Sequence, residues 1–82
     1  MKDKHYRLIV TYSGFDEKKD QKVIRAAGKT PSQLTYDPVE GRRSLDFTFG
    51  TAASARSSRA RIVILQQSEG GFSVSKVIDD GF

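Results

Sequence analysis

Gly50-Thr51-Ala52-Ala53-Ser54-Ala55-Arg56-Ser57-Ser58-Arg59-Ala60-Arg61-Ile62-Val63-Ile64-Leu65-Gln66 is the stretch whose reading decides the fold. Up to Arg61 it holds only Gly, Thr, Ala, Ser and Arg. Two readings compete. In one, residues 51–66 form a second helix between a third strand and a last strand. In the other, residues 50–61 are a mobile Arg/Ser/Ala-rich segment leading into a strand over 61–67, which pairs with 72–79 across the turn Ser68-Glu69-Gly70-Gly71. At about 100° per residue, Arg59 falls in the middle of the arc made by Ala52, Ala55, Ile62 and Val63. A helix burying that arc takes an arginine with it, which is costly unless the charge is paired. The run Ile62-Val63-Ile64 is β-branched and prefers a strand. These two grounds put the strand reading ahead of the helix.

Upstream, Tyr6 to Tyr12 reads as a strand, ended by Ser13-Gly14. Asp16 and Glu17 put negative charge at a helix start, and the helix runs from Asp16 to about Ala27. Its first two turns are wholly polar and are expected to face water; Val23, Ile24, Ala26 and Ala27 supply a short apolar stripe. Gly28 is a C-terminal stop and Pro31 forbids continuation. Ser32 to Asp37 form a second strand with Leu34 and Tyr36 on one face. Pro38 to Gly41 turn, and Arg43 to Phe49 form a third strand. There Leu45, Phe47 and Phe49 alternate with Ser44, Asp46 and Thr48, as in an antiparallel sheet covered on one side. Residues 79–82 read as a fraying end. The expected class is α+β: a single domain over 1–82, an antiparallel sheet of four to five strands with a helix at about 16–27 on one face. If 51–66 is helical, the order resembles a ferredoxin-like βαββαβ plait.

Eighty-two residues leave room for one domain with a thin core. With no cysteine and a single His, disulfides, thiolate metal sites, a cysteine nucleophile and a multi-histidine metal site within one chain are excluded. Hydrophobic residues are 37% and charged residues 29%, values of a globular rather than a disordered chain. The longest apolar run, Ile62 to Leu65, is far short of the roughly 20 residues a bilayer demands. Leu8-Ile9-Val10 is too short for the apolar core of a signal peptide. No membrane association and a cytoplasmic location are the expectations.

Net charge is +4, and its distribution is uneven. Residues 41–66 carry five arginines against one Asp, whereas residues 67–82 carry one Lys against three acids. Arginine offers a planar, bidentate donor fork suited to phosphate and carboxylate. Small residues permit close approach, and Ser hydroxyls donate to phosphate oxygens. Arg42, Arg43, Arg56, Arg59 and Arg61, helped by Ser54, Ser57 and Ser58, are therefore the candidate contacts of a non-enzymatic module binding nucleic acid or a nucleoprotein, largely independently of sequence. The alternative is a small regulator or inhibitor that docks on an acidic surface or a sheet edge of a partner protein. The plainest reading is that these arginines keep a small domain soluble, since a net +4 is ordinary for that purpose.

Other motifs yield to simpler accounts. Gly28-Lys29-Thr30 resembles the end of a Walker A loop. That pattern needs a glycine five positions before Gly28, where Val23 stands, and it opens a helix rather than closing one. The strand order resembles that of an RNA-recognition motif, but Ile9, Ser44 and Asp46 occupy positions where base-stacking aromatics belong, so no stacking platform is expected. An acylphosphatase-like activity would want an Asn, and the chain has none. His5 lies in a charged stretch, and Asp16 and Asp20 read as a solvated helix start. No enzymatic activity and no cofactor are expected.

Overall fold

The computed structural model of the chain describes residues 5–79. Residues 80–82 of the proposed fraying end lie outside them, and Asp79 belongs to a strand. The elements are β1 (Tyr6–Ser13), α1 (Glu17–Ala27), β2 (Gln33–Asp37), β3 (Arg42–Phe49), α2 (Ala52–Glu69), β4 (Phe72–Val74) and β5 (Ile78–Asp79). The sheet is antiparallel throughout, in the order β2-β3-β1-β4, with β5 also paired to β1. Because β3 takes one side of β1, β4 and β5 share the other as a single interrupted edge. This is the α+β class expected, and with the second helix present it is the ferredoxin-like plait.

The loop-plus-strand reading of residues 50–67 is corrected: Ala52–Glu69 is one continuous helix. Thr51 caps it in extended conformation, its hydroxyl accepting the Ser54 N–H at 3.1 Å. The Ala- and Arg-rich body favours a helix, and helical periodicity splits the β-branched run. Ile62 is fully buried, Val63 is half-buried and Ile64 faces solvent. The objection raised by Arg59 is met by partial exposure and a hydrogen bond. The side chain is half-buried at the flank of the helix, and its Nε donates to the Ser75 carbonyl at 2.8 Å.

β1 and β3 alternate as their sequences require. Leu8, Val10 and Tyr12 join Leu45, Phe47 and Phe49 under the helices, where Val23, Ala27, Ala55, Ile62 and Phe72 complete the core. Small side chains at Ala55 and Ser58 let α2 lie close to its neighbours. α1 begins at an Asp16 cap that accepts the Lys18 N–H at 2.9 Å and ends at Gly28, in the left-handed conformation (φ 77°). The expectation that its first turns are all solvated fails at Asp20, which is buried.

Candidate nucleic-acid interface

The five arginines do not gather into one patch. Arg43 stands in the inward-facing row of β3 with Leu45, Phe47 and Phe49, and only 8% of it is exposed. Its Nε and Nη2 donate to Asp20 Oδ2 at 3.1 and 2.7 Å, and its guanidinium lies 4.4 Å from the centre of the Phe15 ring. The Tyr12 hydroxyl donates to the other oxygen of the same carboxylate, Oδ1, at 2.6 Å. Hydrogen bonding to Asp20 raises the Arg43 pKa further above its ordinary value despite burial. Burial, reinforced by the hydrogen bond to Asp20, pushes the Tyr12 phenol up to about 12. Arg43 is therefore withdrawn as a ligand contact, and Asp20 is its structural counter-ion rather than a solvated helix start. Arg42 is exposed at the same end of the sheet, with Nη2 4.0 Å from a Glu40 carboxylate oxygen.

Ser58 and Arg61 serve the end of α1. Ser58 is buried, and its Oγ donates to the Ala27 carbonyl at 2.7 Å. Arg61 donates through Nε to the Ala26 carbonyl at 2.7 Å and through Nη2 to the Ala27 carbonyl at 3.0 Å. These donors satisfy carbonyls that a helix end leaves without intrahelical partners. A Cβ at Gly28 would come within 3.2 Å of Arg61 Nη2, a second reason for glycine there. Ser58 is thus withdrawn as a contact, and Arg61 is held against the helix end rather than free to reach outward.

Two concavities flank the N-terminal half of α2. On the α1 side, a cleft of about 460 Å³ is lined by Lys29, Ser54, Ser57 and Arg61 among others. Lys29 Nζ donates to the Thr48 carbonyl and sits 4.6 Å from the centre of the Phe49 ring, so the ammonium is positioned in advance. On the sheet-edge side, a groove of about 310 Å³ is lined by Arg56, Arg59, Lys76 and Val77. Neither lining includes an acidic residue. Sequence reading missed Lys29 and Lys76 because each is an isolated cation along the chain. Only the packing of α1 and the β4–β5 connection against α2 brings them alongside Ser54, Ser57, Arg56 and Arg59.

The sheet face away from the helices carries Arg7, Ile9, Thr11, Ser44, Asp46 and Thr48, with Arg7 Nη2 paired to Asp46 Oδ2 at 2.6 Å. No aromatic ring stands among these six side chains of the two central strands. Among the described residues no three potential metal-ligating side chains cluster, and no helix is long and apolar enough to cross a membrane. Compared with known protein families, curated proteins and solved structures, the chain finds no match in any of the three.

Proposed function

We propose that this chain is a non-enzymatic module that binds the phosphate backbone of nucleic acid along the N-terminal half of α2. Arg56, Arg59 and Lys76 act on one flank of the helix and Lys29 on the other, with Ser54 and Ser57 as hydroxyl donors. The observation that carries this reading is that both concavities beside that half-helix are lined by cations and by no carboxylate. Phosphate contacts position a protein without reading bases, so binding through these cations and hydroxyls is largely sequence-independent. Neutralising three or four phosphates gives a log–log salt slope of roughly −3 to −4. A cytoplasmic location belongs to the same proposal.

Anisotropy titrations with generic DNA and RNA at two salt concentrations test it, using the wild type and an Arg56→Ala/Lys76→Ala variant, which removes two exposed cations. Salt-sensitive binding that weakens in the variant is expected. Lack of binding at low salt, or equal affinity in the variant, overturns the proposal. In that event, a stoichiometric protein partner captured through the same cations would favour the competing reading, a regulator docking on an acidic protein surface.

A further inference from the structure

Among the described residues, five large hydrophobic side chains are exposed, and four of them gather around β2: Phe15 at 53%, Leu34 at 45%, Tyr36 at 41% and Val39 at 92%. The Phe15 and Tyr36 rings meet edge to face, with centroids 5.8 Å apart. β2 itself is exposed along all five residues and pairs only with β3, leaving its other edge open. Natural edge strands are usually blunted by lysine, proline or a bulge. The opposite edge of this sheet follows that rule, since β4 and β5 are separated by an interruption containing Lys76. The five residues Gln33-Leu34-Thr35-Tyr36-Asp37 carry neither lysine nor proline, the prolines standing outside them at Pro31 and Pro38. Their one charge, Asp37, is exposed and engaged by the turn that follows, with Oδ1 accepting the Val39 N–H at 2.9 Å and the Glu40 N–H at 3.3 Å.

We propose that β2 is the interface of a two-fold homodimer, pairing antiparallel with β2 of a second copy to join two sheets into one. The strand is complementary to itself in one register. With Thr35 on the axis, Leu34 lies opposite Tyr36 of the second copy on the helix-side face, beside Phe15. Gln33 then lies opposite Asp37 of the second copy, so a neutral amide meets each carboxylate and no like charges are opposed. Centring on Leu34 would set Asp37 against Pro31, and centring on Tyr36 would set Leu34 against Pro38. Only the Thr35 register keeps all five residues in the ladder with both prolines outside it. A self-complementary patch of this kind is what a two-fold interface requires, which makes a second copy the occupant. This inference is independent of the nucleic-acid reading, because it uses none of those cations.

The test is a Thr35→Cys variant in a chain that otherwise lacks cysteine. Directly opposed residues of an antiparallel pair have Cα atoms about 4.5–5.5 Å apart, within the range a disulfide spans. Thr35→Cys is expected to form a covalent dimer under mild oxidation much faster than Ala60→Cys, an exposed position on α2. By sedimentation, the wild type is expected to dimerise with rising concentration. A Leu34→Lys/Tyr36→Lys variant, folded by circular dichroism, should dimerise roughly tenfold more weakly or worse. Wild type that stays monomeric at the highest concentration, or Thr35→Cys that cross-links no faster than Ala60→Cys, overturns the proposal and leaves the edge to a different chain. Should the double lysine variant not fold, the two cysteine variants still decide.

Discussion

Arg59 of α2 donates to the main-chain carbonyl of Ser75, 2.8 Å away, while the Ser75 hydroxyl accepts the Ile9 N–H at 2.9 Å. Here the Ser75 side chain serves the β1 ladder in place of its own carbonyl, and the carbonyl is left to receive the guanidinium. The interrupted edge between β4 and β5 is thereby tied to the helix that crosses it. Replacing Ser75 by Ala removes the acceptor of the Ile9 N–H without changing any charge. A loss of roughly 1–3 kcal/mol in urea unfolding is expected. Stability equal to wild type would show that this hydroxyl is not needed for the edge.

Asp20 and Arg43 form a buried pair with side-chain exposures of 8% and 10%. Removing either partner leaves the other charge desolvated, so Asp20→Ala or Arg43→Ala alone is expected to cost about 3–5 kcal/mol. The double variant should cost well under the sum, because it strands neither charge. Additive losses in a double-mutant cycle by urea denaturation would count against the pair.

Tyr12 ties the same cluster to alkaline pH. Its phenol titrates near 12 in the folded protein against 10.0 in the unfolded chain. Below pH 10 both states keep the proton and the contribution is fully present. Between pH 10 and 12 the unfolded chain loses its proton first, so stability falls as pH rises, by about 3 kcal/mol in all. A Tyr12→Phe variant should lose this component. The check is the difference between the wild-type and variant unfolding midpoints across that window, and a constant difference would contradict the assignment.

α2 also tests its own periodicity. Ile62 is fully buried and Ile64 is 64% exposed, although both lie in one β-branched run. Ile62→Ala is expected to cost about 2–5 kcal/mol, and Ile64→Ala to stay within roughly 0.5 kcal/mol of wild type. On a strand the two side chains would share a face and respond alike.

The first three strands, α1 and the inward row Leu45, Phe47 and Phe49 were legible in the sequence because a period of two and a glycine stop are local signals. α2 was less legible, since the fact that makes it tolerable, a carbonyl at Ser75 for Arg59, lies 16 residues away in the chain. The same limit hid the fates of individual arginines. The period of two does put Arg43, and not Arg42, in phase with Leu45, Phe47 and Phe49, but the counter-ion that makes its burial tolerable, Asp20, lies 23 residues away in the chain. The capping duties of Ser58 and Arg61 depend on the end of α1, and Lys29 and Lys76 join the interface only through packing.

The two concavities beside α2 make separable predictions for ligand binding. Removing one phosphate-binding cation should flatten the salt slope by about one and weaken binding uniformly across sequences. Lys29→Ala and Lys76→Ala are each expected to do this, one from each flank, and the Lys29→Ala/Lys76→Ala variant should flatten the slope by about two. Arg42→Ala serves as the matched control: it removes the same charge from the far end of β3, beside Glu40 rather than α2. Its slope should stay at the wild-type value. If Arg42→Ala flattens the slope as much as Lys29→Ala does, the affinity comes from net charge alone and the half-helix is not the place where phosphates sit.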